Sequence, residues 1–190
     1  MISEQEYAGK RARAVAAIRA TNAADPLTLE KTTSNLFRQR EQARVHRLDL
    51  RDFNHVIRVD EHEQFAEVEG LTTYEDLVRE TLPFQLMPTV VPQLKSITIG
   101  GAIAGIGIES SSFKYGFVHE TVQELEILLS DGRVVVATNA NEYSDLFFGF
   151  PNSYGTLGYV LKLKVKLIPI KPYVKLTHHR YSDWKQYFRE

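Results

Sequence analysis

The 190-residue chain contains no cysteine. That excludes a disulfide framework, thiolate catalysis, thiolate metal sites and a cysteinyl link to a cofactor, and it fits a reducing compartment. Net charge is nearly absent too. The formal value of −1 at pH 7 gives no global field to recruit nucleic acid or an anionic membrane. No uncharged apolar run is long enough to span a bilayer, and Met1 to Glu6 is polar and acidic, without an apolar signal-peptide core. A cytoplasmic protein with no transmembrane segment and no nucleic-acid partner is therefore expected. Neither an internal repeat nor a low-complexity linker is present. What remains is ordinary for a soluble globular protein: 43% hydrophobic and 25% charged residues, enough for one large domain or two small lobes.

One stretch stands out, the uncharged run Ser96-Ile97-Thr98-Ile99-Gly100-Gly101-Ala102-Ile103-Ala104-Gly105-Ile106-Gly107-Ile108. Glycines weaken ordinary helices and strands, so this run needs a reason. Two readings are open. The glycines let backbone N–H groups at a helix start meet a phosphate or pyrophosphate, or they form a tightly packed buried turn. The familiar phosphate motifs fail: no Lys follows as a P-loop requires, and Ser110 occupies the last glycine position of a dinucleotide fingerprint.

Around this run the chain reads as alternating helices and strands. Ser3 and Glu6 resemble a capping box for a helix that ends before Asp25-Pro26. Its inward face carries Tyr7, Ala14, Val15 and Ile18, and Lys10, Arg11, Arg13 and Arg19 form a solvated face. Strands are expected at Leu27 to Lys31, Val45 to Leu50, Val56 to Val59 and Gln64 to Glu69. Thr72 with Glu75 is expected to cap a helix through Leu82 with Tyr74, Leu77 and Val78 inward, and the segment Pro83 to Pro92 is irregular. Ser130-Asp131-Gly132 between apolar runs at Val122 to Leu129 and Arg133 to Thr138 signals a hairpin. Asn141 to Phe150 reads as a short helix. Leu161, Leu163, Val165 and Leu167 alternate with Lys162, Lys164 and Lys166, a half-buried strand with a solvated Lys face. Lys175 to Tyr181 reads as a further strand, followed by a helix from Ser182 and Asp183 to the chain end.

Four features in order, Thr32-Thr33-Ser34-Asn35, Thr98-Ile99-Gly100-Gly101, Tyr115-Gly116 and Gly155-Thr156-Leu157-Gly158, resemble the FAD-binding domain of the vanillyl-alcohol oxidase and p-cresol methylhydroxylase flavoproteins. The stretches Thr33 to Arg38, Gly107 to Ser112 and Ser153 to Gly158 look most like its Delta(24)-sterol reductase branch. The resemblance implies an α+β, two-lobed FAD-binding domain of the p-cresol methylhydroxylase type. An N-terminal helix at 1–25 would precede it. Its lobes would fall at 26–95 and 96–172, with 173–190 starting a substrate domain.

It also implies cofactor contacts from Thr32, Thr33, Ser34 and Asn35, from Pro92, Gln93, Ser96, Ile97 and Thr98, from Gly100 and Gly101 against the pyrophosphate, and from Gly105, Ile106, Gly107, Ile108, Ser110 and Tyr115. Gly155, Thr156, Leu157, Gly158 and Val160 would line the adenine or ring side. Lys31 to Asn35 departs from the family's glycine-rich pattern and has no His, which implies noncovalent FAD.

The expected function is hydride transfer through that FAD, on a sterol or another apolar alkene or alcohol. The alternative is a noncatalytic flavin- or nucleotide-binding module completed by a partner chain, and self-association is a further expectation. His119 is open between a flavin approach and a structural role, and Glu109 between a functional carboxylate and a loop charge. His178 and His179, adjacent on an expected strand, would face opposite ways and make no metal pair. No catalytic residue is assigned.

Overall fold

The computed structural model describes residues 1–21, 27–30 and 46–189. In chain order the elements are α1 (Glu4–Arg19), β1 (Leu27–Glu30), β2 (His46–Asp49), β3 (Val56–Asp60), β4 (Phe65–Glu69), α2 (Tyr74–Thr81) and β5 (Leu86–Pro88). They continue with α3 (Ile99–Ala104), α4 (Ser112–Tyr115), β6 (Val122–Leu128), β7 (Val134–Ala137), α5 (Ser144–Gly149), β8 (Tyr159–Pro169) and α6 (Trp184–Tyr187). β1 and β2 form a separate parallel pair. The other strands form one six-stranded sheet in the order β3-β4-β8-β6-β7, with β5 also paired to β8.

β8 organises this sheet. Its alternation of apolar and Lys residues sets its two faces, and its eleven residues are long enough to serve three neighbours. β4 pairs with Lys162 to Lys166, β6 with Tyr159 to Val165 and β5 with Leu167 to Pro169, all antiparallel. The chain's last long strand thus returns between elements from early and late sequence. Strands from both sides of position 95 thus share one sheet. The hairpin at Asp131-Gly132 forms as expected, with Gly132 at φ +79° and Leu129 accepting its N–H. β5 is a strand inside the segment expected to be irregular, because Met87 and its neighbours reach the free edge of β8.

One face of the sheet carries the larger core, including Val68, Leu125, Leu163 and Val165, under Tyr74 and Leu77 of α2 and Ile99, Ala102 and Ile103 of α3. α1 covers part of the other face. Its buried residues Tyr7, Ala14 and Ile18 pack with Leu48, Leu50, Phe53, Leu128 and Leu161. This corrects the expected solvated Lys face. The Lys162 ammonium lies 5.4 Å from the Tyr7 ring centre and the Lys164 ammonium 3.7 Å from that of Phe65, while Lys166 stays exposed. Lys stems are apolar enough to lie under a helix while their ammonium groups find rings and carboxylates.

Lys10 needs the same correction. It is 4% exposed, and its ammonium donates to Asp52 O at 2.5 Å and to both oxygens of the fully buried Glu69 at 3.0 Å. His55 donates its backbone N–H to Glu69 Oε2 at 2.9 Å. On the exposed side of the same turn Arg13 pairs with Asp52 at 2.6 Å, and Arg11, the residue after Lys10, pairs with Glu126 at 2.7 Å.

Two expected features at the ends of elements shift. The N-cap of α2 is Thr73, whose hydroxyl accepts from Asp76 N. Thr72 is occupied otherwise: its hydroxyl donates to His55 O and its carbonyl accepts from Ile99. The strand expected at Lys175 to Tyr181 does not form. Those residues have no ladder partner and all but the half-buried Tyr181 are exposed, so the opposite-face argument for His178 and His179 falls away. α6 follows with Asp183 as its N-cap, and Trp184, Tyr187 and Phe188 stay exposed.

A buried ion pair that loses one partner leaves an uncompensated charge. Glu69→Ala or Lys10→Met should each lower unfolding free energy by about 3–5 kcal/mol, read by urea denaturation. The double substitution to apolar residues should recover much of that loss.

Candidate cofactor site

The site is built where two helices start from one antiparallel bridge. Thr73 and Thr98 pair there as isolated residues, with Tyr74 N–H donating to Ile97 O and Ile99 N–H to Thr72 O. Each Thr is also an N-cap, for α2 and α3 respectively. The segment 92–98 is thus tied to the start of α2, helped by Glu75 N–H donating to Lys95 O. Pro92 and Thr98 are buried, Ile97 is half-buried, and Gln93 and Ser96 are exposed.

The glycine pair does two different things. Gly100 donates its N–H to Gly70 O at 2.9 Å, and a Cβ there would stand 2.6 Å from that oxygen. Gly70 is itself pressed against β8: it donates to Leu161 O at 3.0 Å, and a Cβ on it would collide with Val160 O. Three backbones therefore stack with no side chain between them. The N–H groups expected to be free at this helix start are in use: Ile99 donates to Thr72, Gly100 to Gly70, Gly101 to the Thr98 hydroxyl and Ala102 to Thr98 O. Gly100 thus packs against Gly70 with its N–H in use, as the buried-turn reading of the run has it. Gly101 faces outward, and a Cβ on it would meet only the Thr98 hydroxyl.

Beyond α3 the chain turns through Gly105, Ile106 and Gly107. Gly107 N–H donates to Ala102 O at 2.7 Å, and Gly107 O accepts from Val118. Ile106 sits at φ +55°, a left-handed conformation costly for a β-branched residue. The 153–158 loop meets this turn: Tyr154 N–H donates to Ala104 O at 3.0 Å, and the Tyr154 ring lies 3.7 Å from where a Gly105 Cβ would be. Gly155 follows at φ +87°. Gly158 at φ +131° packs against Leu128 O, and Val160 begins the contact with Gly70. Thr156 is held by hydrogen bonds from its N–H and hydroxyl to Ser153 O.

The result is a glycine and apolar surface that includes Gly101, Gly105, Ile106, Ile108 and Leu157, of which Ile108 is 64% exposed. Gly107 lies under it against Val118. Ser110 is exposed and Tyr115 half-buried on the neighbouring α4, with the Lys114 ammonium 5.0 Å from the Tyr115 ring centre. Thr32, Thr33, Ser34 and Asn35 lie outside the described residues.

One buried polar group of the 153–158 loop was outside the sequence-based assignment. The Ser153 hydroxyl is buried and has no hydrogen-bond partner among the described residues. A single serine has no periodicity that could have marked it.

Burial, with the Glu109 carboxylate nearby, holds the Tyr74 phenol protonated. Glu109 lies at the turn into α4, where its N–H donates to the Ser112 hydroxyl. His119 stacks on Phe117 at 5.6 Å, and its Nδ1 is buried without a partner among the described residues. Burial lowers its pKa below the ordinary 6.5, opposed by Glu120.

This architecture is that of a known cofactor-binding fold. The solved 6-hydroxy-D-nicotine oxidase from Arthrobacter nicotinovorans superposes with a TM-score of 0.69 at 18% identity, over 84% of this chain and 35% of that one. The sequence profile of the FAD binding domain matches residues 7–138, and the chain belongs to that family.

Among its relatives, Delta(24)-sterol reductase of Pisum sativum is 46% identical over 138 residues, 73% of this chain and 24% of that protein. The Homo sapiens Delta(24)-sterol reductase is 40% identical over 121 residues, 64% and 23%. Cytokinin dehydrogenase 1 of Arabidopsis thaliana is 30% identical over 126 residues, 66% and 22%. The matched region thus spans about a quarter of these curated relatives. These residues fit FAD, because an exposed glycine and apolar side chains admit a flat ligand.

Two results follow from this geometry. Gly100→Ala should cost about 1–3 kcal/mol by overpacking against Gly70, whereas Gly149→Ala, with nothing within 4 Å of its Cβ, should cost nothing in thermal unfolding. His119 has a folded pKa below its unfolded value, so the unfolded chain binds the proton more readily. Its stability contribution is complete above about 6.5 and is lost as pH falls toward the folded pKa. A His119→Gln variant should show a flatter stability profile below pH 6.5 than the wild type.

Proposed function

We propose that this chain is the flavin-holding part of an oxidoreductase that acts on a sterol or another apolar alkene or alcohol through noncovalent FAD. The observation that carries the reading is the exposed glycine and apolar surface of Gly101, Ile106, Ile108 and Leu157 with the half-buried Gly105, in a chain whose relatives include sterol reductases. When bound, FAD supplies the hydride-transfer chemistry.

The chain's own residues bind and orient it. α3, fixed to Gly70, sets the position of Gly101, and the 153–158 loop supplies the adjoining surface. Ile106, Ile108 and Leu157 exclude water from a flat ring. Thr32 to Asn35 would contribute further polar contacts. Noncovalent attachment is supported by the absence of cysteine from the chain and of His from Lys31 to Asn35.

In this reading residues 26–172 hold the flavin and 173–190 belong to a substrate-facing unit. The exposed Tyr173, Val174, Leu176, Trp184, Tyr187 and Phe188 support that division. They equally favour completion by a partner chain or self-association. Among the described residues no helix is long and apolar enough to cross a membrane.

The purified chain should show flavin absorbance, and acid precipitation should leave free FAD in the supernatant. A colourless chain that takes up no added FAD would contradict the reading. Flavin retained in the acid pellet would contradict noncovalent attachment. Bound FAD that no sterol, alkene or alcohol reduces or reoxidises would favour the noncatalytic, partner-completed module.

A further inference from the structure

We propose that Lys10 and Glu69 are positioning residues for the cofactor site, which fix from the α1 side the segment 69–72 that seats α3. The proposal rests on the FAD-binding reading above. Lys10 is 4% exposed and Glu69 is fully buried. The Lys10 ammonium donates to both Glu69 carboxylate oxygens at 3.0 Å and to Asp52 O at 2.5 Å. Glu69 Oε2 also accepts the His55 N–H at 2.9 Å. One side chain of α1 therefore holds the turn at 52–55 against the end of β4. A pair this deeply buried costs desolvation that apolar residues of similar volume would avoid, so stability alone does not account for it.

From that pair a continuous set of backbone bonds runs to α3. Glu69 N–H donates to His55 O at 2.9 Å and Leu71 N–H to Phe53 O at 2.8 Å, which laces the 52–55 turn to the segment after β4. Thr72 adds its hydroxyl to His55 O at 3.0 Å and its N–H to Glu69 O at 3.1 Å. The carbonyls of Gly70 and Thr72 then accept from Gly100 and Ile99, both at 2.9 Å. A helix of six residues has little stability of its own, so these two carbonyls set where α3 starts. Gly70 has no side chain that could absorb a shift, and backbone atoms of Val160 and Gly100 close on it. In so close-packed a contact, a displacement at Glu69 passes to Gly100 and from there to Gly101, Gly105 and Ile106.

Two variants and a control test this. Lys10→Met leaves the Glu69 carboxylate buried without its cation. Its FAD dissociation constant, read by flavin fluorescence titration well below its melting temperature, should rise about tenfold, within the range for substitutions that act on a site through packed neighbours. The double variant Lys10→Met, Glu69→Leu leaves no unpaired charge and should regain much of the wild-type melting temperature. Its FAD dissociation constant should stay raised, because the tie between α1 and the 52–55 turn is still missing. That separation of affinity from stability is what a purely structural ion pair would not give. Without FAD, amide exchange at Ile99 and Gly100 should be faster in the double variant than in the wild type. Arg13→Ala removes only the exposed pair with Asp52 on the same turn and should change neither reading.

Wild-type FAD affinity in the double variant, with a wild type that binds, would overturn this proposal alone. So would unchanged exchange at Ile99 and Gly100 in that variant, since the disturbance would then not reach α3. An Arg13→Ala loss as large as that of the double variant would overturn it too, because any disturbance of α1 would then suffice. A wild type that takes up no FAD would overturn the flavin reading and this proposal together.

Discussion

The contact of three backbones at Gly70, Gly100 and Val160 is the constraint on which the rest of the structure depends. Gly70 directly follows β4, Gly100 lies in the first turn of α3 and Val160 is the second residue of β8, so the contact joins the sheet to the helix with no side chain between them. It uses the hydrogen-bonding groups of the start of α3 as well as its surface. A helix of six residues has little stability of its own, and here its position comes from these bonds and from burial of Ile99 and Ile103. Once α3 is seated, the turn at Ile106 and the loop at Tyr154 have a fixed surface to close against. The left-handed backbone in both is then held by hydrogen bonds at the end of α3.

The opposite face of the sheet is governed by charge. α1 lies on a face that carries Lys162 and Glu126, and it succeeds because its own polar residues meet them: Arg11 pairs with Glu126, and Lys10 enters the Glu69 site. Glu69 immediately precedes Gly70 in sequence. The buried ion pair and the backbone contact therefore act on adjacent residues from opposite faces, one fixing α1 and the other fixing α3. That proximity links the helix at the chain's start to the wall on which the flavin is expected to rest.

Much of this was legible in the sequence because it depends on local periodicity. The alternation in Leu161 to Leu167 marked β8, Asp131-Gly132 marked the hairpin, Ser3 marked the start of α1, and the ordered motifs pointed to an FAD-binding domain, as the family match bears out. What was not legible depends on partners distant in sequence. Period two defines the faces of a strand but not what covers them, so α1 over the Lys face was missed. Lys10 reads as a surface residue until Glu69, fifty-nine residues away, is placed beside it. The strand expected at Lys175 to Tyr181 has suitable residues but no ladder to join. At the candidate site the glycine run and the 153–158 loop both stood out in the sequence, and Tyr154 N–H donating to Ala104 O brings them together. The separate duties of Gly100 and Gly101 follow from the position of Gly70, which no local pattern records.

The central claim is that α3 is fixed by its own backbone bonds and that the flavin lies against its exposed side and the adjoining loop. Amide hydrogen exchange of the chain with and without FAD, resolved by residue, tests it most directly. The Ile99 and Gly100 amides should already be protected without FAD, and added FAD should slow exchange chiefly at 101–108 and 152–158. Rapid exchange at Gly100 in the absence of FAD, or FAD-induced protection that leaves both segments unchanged, would contradict the account.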